Sequence, residues 1–266
     1  MNCGEAFLLK KSKTLKELMI SVITPSYNSE KYIEECILSV LEQNYLNFEH
    51  IIVDASSTDS TIEIIKKYNH VKYISEDDNG LSDALNKGIN MASGDIFCWL
   101  NSDDFYEKNA FHKVNYIFNE NTTSSWIIGM TSRFNQLSGN KVLNKYSEIN
   151  LKSVRTNCDY LRTMAAFYKK EVFETIRFDE NLHYVMDYKL YIDILKKFGN
   201  PINSKIPFSV FRVHSEQKTN VKNLKKQYLE LLTIFYQEKL FIAFIKKSYR
   251  FFKISSILTL KSFLNK

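Results

Sequence analysis

The sequence predicts an α/β fold, a mostly parallel sheet flanked by helices and followed by a C-terminal helical tail. Two observations predict it. Between Ile20 and Leu100 short apolar, β-branched runs alternate with helix-periodic segments, and beyond Ser215 the pattern stays helical and becomes basic.

The expected strands are Ile20 to Thr24, His50 to Asp54, Val71 to Ser75 and Ile96 to Leu100. Between the first two, Ile33, Cys36, Ile37, Val40 and Leu41 recur at helical spacing, with Asn28 and Ser29 available to cap the start. A second helix is expected from Ser60, because Glu63 follows at the capping-box spacing. In the third, Leu81, Ala84, Leu85, Gly88, Ile89 and Ala92 share an apolar face opposite Asp83, Asn86, Lys87 and Asn90, and Gly94 stands where a helix end favours a left-handed residue. The first hundred residues thus read as βαβαβαβ. Further on, strands are expected at Trp126 to Thr131, Ala165 to Tyr168 and Phe208 to Val213, with a helix from Asp187 to Phe198.

A chain of 266 residues can bury a substantial single core, and we divide it into an extension over 1–19, a principal domain over 20–215 and a tail over 216–266. The 44% hydrophobic and 25% charged composition excludes disordered and collagen-like classes. Cys3, Cys36, Cys98 and Cys158 form no CxxC pair, which argues against structural zinc and a disulfide-stapled secreted scaffold. No stretch has the features of a signal peptide or the apolar length of a membrane-spanning helix, so a cytoplasmic location is expected. Residues 217–266 carry eleven Lys or Arg against Glu230 and Glu238, whereas the whole chain is only +6, so the basicity is local. That argues against a globally cationic nucleic-acid binder and for a tail that meets something anionic.

Parallel strands with right-handed crossovers place their C-terminal ends on one edge, where ligands of open α/β sheets bind. The residues at those ends are Pro25, Ser26, Tyr27 and Asn28 after the first strand, Asp54 after the second, Glu76 to Asp78 after the third, and Asn101 to Asp104 after the fourth. Adjacent carboxylates at Asp103 and Asp104 repel unless a cation neutralises them. Mn²⁺ or Mg²⁺, completed by water and a diphosphate, would do so, and a solvated turn before a helix near Lys108 would also accommodate the pair. Asp54 fits either a ligand-binding carboxylate or an Asx-turn residue, and Asp187 either a functional acid or a helix cap.

Thr24-Pro25-Ser26-Tyr27-Asn28, Val53-Asp54 through Ser57-Thr58-Asp59-Ser60-Thr61, Gly80 through Asp83-Ala84-Leu85-Asn86-Lys87-Gly88, and Asn101-Ser102-Asp103-Asp104 together resemble family 2 glycosyltransferases in order and spacing. The resemblance continues through Phe167 to Phe173, Phe178-Asp179-Glu180 and Met186-Asp187-Tyr188-Lys189-Leu190, and covers about residues 20–214. It implies a GT-A fold, a Rossmann-like and mostly parallel sheet. It implies that Thr24, Pro25, Tyr27, Asn28, Asp54, Asp83, Lys87, Asn101, Ser102 and Asp103 hold a nucleotide-sugar donor. Asp103 would be the metal ligand, with Asp104 and His214 as further metal contacts, and Asp187 the base. Arg212 or His214 would close over the diphosphate, unless they are a strand-edge arginine and a surface histidine. Two departures stand out: Asn101 replaces the first Asp of the metal motif, and Ala55-Ser56 replaces the usual Asp-Gly pair.

The activity so implied is inverting transfer of one sugar, UDP-linked by preference, to a hydroxyl of a glycan acceptor such as a lipid-linked surface-polysaccharide precursor. A processive Gln-x-x-Arg-Trp motif is missing. Leu240, Phe241, Phe244, Ile245, Phe251 and Phe252 beside Lys246, Lys247, Arg250 and Lys253 suit peripheral contact with anionic lipid at the inner membrane face. Packing on the chain's own domain or on the second subunit of a homodimer would use the same pattern. Two other classes compete. A dinucleotide-dependent oxidoreductase lacks its Gly-rich fingerprint after strand one, and a non-catalytic binding module would not need Asp54, Asp103 and Asp187 together.

Overall fold

The computed structural model describes residues 15–156, 163–215, 217, 223–240, 245 and 248. Four parallel strands come first: β1 (Ile20–Ser26), β2 (Phe48–Asp54), β3 (Val71–Ser75) and β4 (Ile96–Trp99), joined through α1 (Ile33–Leu41), α2 (Thr61–Ile65) and α3 (Leu81–Met91). Then follow β5 (Phe105–Tyr106), α4 (Ala110–Glu120), β6 (Trp126–Asn135), β7 (Lys141–Leu143), α5 (Leu151–Thr156), β8 (Ala166–Lys169), α6 (Lys170–Phe173), α7 (Met186–Phe198), β9 (Ile202–Val213) and α8 (Leu224–Gln237). The described strands form one sheet in the order β3-β2-β1-β4-β8-β6-β9-β5, with β7 on β6.

Strand alternation divides the core into two layers. Ile23, Phe97 and Trp99 face α3, α6, α7 and α8, while Val22, Ile96 and Cys98 face α1 and α4. In the first layer Trp99 and Trp126 stack on either side of Tyr168, each 5.9 Å from it between ring centroids. Leu190, Ile194 and Leu195 of α7 point inward as expected, and α8 buries Leu231, Ile234 and Phe235 in the same layer. The rest of the basic aromatic stretch, apart from Leu240 and Ile245, lies outside the described residues.

Three local expectations are corrected. The Ser60–Glu63 capping box does not form. The Asp59 carboxylate caps α2 instead, accepting the Thr61 N–H at 3.0 Å and its hydroxyl at 2.5 Å. Neither Asn28 nor Ser29 caps α1 with its side chain, since the helix begins at Ile33, after Tyr32, without a side-chain cap. Gly94 is no left-handed helix end. It is small because a Cβ there would stand 2.6 Å from Ser21 Oγ and 2.8 Å from the Met19 carbonyl. The late strands also run longer than the apolar pattern suggests, since β6 reaches Asn135 and β9 begins at Ile202.

Gly88 lets α3 lie directly on β1, because a Cβ at that position would come within 2.3 Å of Ile23 Cγ2. Replacing Gly88 with Ala should therefore lower stability by about 1–3 kcal/mol from overpacking. That outweighs the helix-propensity gain of about 1 kcal/mol, and urea unfolding measures the balance.

Candidate active site

The carboxyl edge of β1 to β4 is tied together by short polar side chains. Asn28 holds a left-handed backbone, φ 46°, which Asn tolerates better than most residues. Its N–H donates to Ser57 Oγ at 2.8 Å and its Oδ1 accepts the Thr58 N–H at 2.9 Å. Ser57 in turn donates to buried Asp54 through its N–H (2.9 Å) and hydroxyl (2.5 Å), and Ser75 Oγ adds a third bond at 2.8 Å. A carboxylate offers about four acceptor positions, so these three bonds use most of them and let the fully buried Asp54 organise the edge. Ser29 and Ser102 join the loops after β1 and β4 through a 2.7 Å hydroxyl contact.

Thr24 and Pro25 are buried. The Thr24 hydroxyl meets His50 Nε2 at 2.9 Å, inside the sheet and α1 layer. Tyr27 is 63% exposed at the edge. Asp83 and Lys87 form a separate cluster after β3: the Lys87 ammonium lies 2.9 Å from Glu76 and 3.4 Å from Asp83, and donates to the Asp77 carbonyl at 3.0 Å. Asp83 also accepts the Asn79 N–H at 2.9 Å.

Asp103 and Asp104 have divergent environments although they are neighbours. Asp104 is fully buried and accepts the Arg212 N–H at 2.9 Å and Asn101 Nδ2 at 3.0 Å. Burial first, and the adjacent Asp103 charge second, push its carboxyl well above the usual range. The repulsion expected between the two acids is thus expressed in Asp104, and it favours the neutral form of that carboxyl. Asp103 stays part-exposed, and its Oδ2 stands 2.9 Å from His214 Nε2. β5 makes this meeting possible, since Phe105 and Tyr106 pair antiparallel with Val210 and Ser209 of β9 and bring Arg212 and His214 beside the acids.

Neither Arg212 nor His214 is the surface or strand-edge residue that the sequence also allowed. Arg212 is only 2% exposed and lies within 5.1–5.6 Å of the rings of Tyr32, Phe105 and Phe134. Its guanidinium donates to the Asp103 carbonyl at 2.8 Å, to Gln136 and to Glu35. The Tyr32 ring also covers His214, 4.5 Å between centroids. Sequence reasoning missed Tyr32, Glu35, Gln136 and Ser29. Arg212 and Glu35 are 177 positions apart, and no local pattern announces such a pair.

Asp187 opens α7 and accepts the Tyr188 N–H at 2.8 Å. Burial pushes its carboxyl up to about 6. The segment that leads to it is fixed to α3, which starts at the carboxyl edge. Ser82 Oγ donates to the Leu182 carbonyl at 2.9 Å, and the Asn86 amide bonds Phe178 N–H and carbonyl, both at 3.0 Å.

The model of glycosyl transferase family 2 matches residues 21–177, more than half of the chain. The chain belongs to this family. TuaG of Bacillus subtilis (strain 168), named for teichuronic acid biosynthesis, is 42% identical over 101 residues, 36% of this chain and 40% of TuaG. The chain therefore spans less than half the length of that relative. The crystal structure of S. aureus TarS 1–349 in complex with UDP-GlcNAc aligns at TM-score 0.64 and 20% identity, over 79% of this chain and 63% of TarS. The mannosyltransferase PcManGT of Pyrobaculum calidifontis, in complex with GDP-Man and Mn²⁺, aligns at TM-score 0.59 and 17% identity, over 86% and 69%. These likenesses show the GT-A fold.

Removing Arg212 would leave the Asp103 carbonyl without this donor, free the exposed Gln136 and Glu35 side chains to water, and empty an aromatic cage. Arg212→Ala should cost about 2–4 kcal/mol of stability in urea unfolding, whereas a surface Lys→Ala stays within roughly 0.5 kcal/mol.

Proposed function

We propose that this protein is an inverting glycosyltransferase that moves one sugar from a nucleotide diphosphate, UDP by preference, to a hydroxyl of a surface-glycan precursor. The observation that carries the reading is the Asp103–His214 pair, 2.9 Å apart, beside the Asn28–Ser57–Asp54 network in a family 2 chain. The UDP-GlcNAc complex of TarS supports the donor class, and the role in TuaG's name supports the acceptor class.

Among the described residues no group of three or more His, Cys, Asp or Glu side chains could enclose a metal. Asp103 and His214 offer one carboxylate oxygen and one imidazole nitrogen, which would hold Mn²⁺ or Mg²⁺ with donor phosphates and water completing the coordination, and the PcManGT structure is a complex with GDP-Man and Mn²⁺. When bound, such an ion supplies stabilisation for negative charge on the departing diphosphate. Asp104, with both oxygens engaged by protein donors, supports the loop from behind. Asp54 and Asn28 hold the nucleotide, and Asp83 with Lys87 seats the donor from α3.

Asp187 takes the proton of the acceptor hydroxyl as that oxygen bonds to the anomeric carbon and the carbon–oxygen bond to the diphosphate breaks. Attack from the face opposite the leaving group inverts the anomeric centre. A carboxyl raised to about 6 is still ionised at neutral pH and is a stronger base than an ordinary aspartate. Because the ionised form is required, turnover should fall about tenfold per pH unit below about 6 and level off above it.

Saturating UDP with Mn²⁺ should raise Tm by on the order of 5–10 °C at a hundredfold excess over Kd. Asp187→Asn should keep that shift and lose transfer by at least a hundredfold. Transfer by Asp187→Asn at the wild-type rate would remove the base assignment, and no response to UDP with Mn²⁺ would favour a module that does not use nucleotide sugars.

The eleven Lys or Arg of residues 217–266 support peripheral contact with anionic lipid as part of the same proposal. No helix among the described residues is long and apolar enough to cross a membrane. Cosedimentation with phosphatidylglycerol vesicles should occur at 50 mM salt and weaken at 500 mM, and a chain that stays in the supernatant at low salt has no such contact.

A further inference from the structure

Three successive backbone N–H groups just before α7 converge on one side chain from a distant helix. His183 donates to Glu230 Oε1 at 3.0 Å, while Tyr184 and Val185 donate to Oε2 at 2.8 and 3.2 Å. N–H groups that converge at a helix start form an anion site, here filled by the protein's own carboxylate. Asp187 follows two residues later.

The helix that carries Glu230 is itself well anchored. Leu231, Ile234 and Phe235 of α8 are buried, and Phe235 packs edge-on against Tyr188 at 6.0 Å. Glu238 pairs with Lys189 at 3.7 Å and with Lys196, both on α7. On the other side Tyr188 donates its hydroxyl to the Val154 carbonyl at 3.0 Å. The residues flanking Asp187 are thus held on both sides, yet the clamp on 183–185 comes from a helix that begins 47 residues beyond the family match, at Leu224.

We propose that Glu230 is a positioning residue for the reaction: by clamping residues 183–185 it sets the place and the water exclusion of the Asp187 carboxylate. The inference rests on the reading of Asp187 as the base. Its consequence is that α8, outside the matched family region, is part of the catalytic apparatus.

The test uses the full chain and needs no donor. Side-chain carboxyl NMR follows the Asp187 midpoint, about 6 in the wild type, and hydrogen exchange follows the amides of residues 183–185. Tyr168 on β8 is a titratable group that senses the Asp187 charge, and burial holds it well above 10 and so neutral. In Glu230→Ala, exchange at 183–185 should rise at least tenfold and the midpoint should fall toward the ordinary carboxylate range near about 4. Removing a negative charge would also lower it, so Glu230→Gln decides: its one amide oxygen can still accept from Tyr184 and Val185 while the His183 N–H loses its partner, and its midpoint should stay nearer the wild type than that of Glu230→Ala. A midpoint that falls equally in both variants, or does not move in Glu230→Ala, overturns the proposal. General unfolding would show as faster exchange at Ile51 and Ile52 in β2, and the Gln variant then carries the comparison. Wild-type transfer by Asp187→Asn would instead defeat the base reading and leave the clamp itself intact.

Discussion

The bond from the Arg212 N–H to the buried Asp104 carboxylate fixes the geometry on which the rest of the site depends. It joins the loop after β4 to the last strand, 108 residues later in the chain. Asp104 can occupy a fully buried position because both of its oxygens have protein donors and burial favours its neutral form. With Asp104 fixed, the next residue back, Asp103, is turned outward, and the residue two beyond Arg212, His214, arrives on the same side. Arg212, near the end of β9, and His214, just beyond it, both lie against the Tyr32 ring.

Arg212 closes this arrangement with a charge that has almost no water. Its hydrogen bonds and three aromatic rings replace hydration, which is why the guanidinium tolerates 2% exposure. Tyr32 shields both Arg212 and His214, so α1, β5, β6 and β9 all converge on one cationic group. A lysine would not reproduce the fork of donors to the Asp103 carbonyl, Gln136 and Glu35.

The first half of the fold was legible because its signals are local. Apolar runs in β1 to β4 and the 3.6-residue period of α3 place the strands and helices within a few residues, and parallel topology then assigns the polar strand ends to one edge. The acids at the strand ends, Asp54, Asp103 and Asp104, were legible for the same reason. What stayed hidden depends on contacts between distant segments: whether Asp59 or Ser60 caps α2, that Gly94 answers a close approach by Met19 and Ser21, and that Asp104 faces inward while Asp103 faces outward. Two adjacent aspartates look equivalent in a sequence, and only β9 distinguishes them. Glu230 was equally silent, since a glutamate in a basic helix carries no mark of the three N–H groups it receives.

Under the proposed reading, the departures from the family pattern acquire a physical sense. Asn101 cannot contribute a charge, and its amide is turned to Asp104, so a divalent ion would meet one outward carboxylate and one histidine. Two protein ligands leave most of the coordination sphere of a hard cation to be supplied by others. Donor phosphates are the natural remainder, so metal and nucleotide sugar should each strengthen the binding of the other, and by linkage to the same extent. His214 also ties that coupling to β9, because the strand that positions Arg212 against Asp104 is the strand that delivers the imidazole. A chain built this way would hold metal weakly when empty and firmly when loaded, with the buried Asp104–Arg212 bond setting how well the two ligands are aligned beforehand.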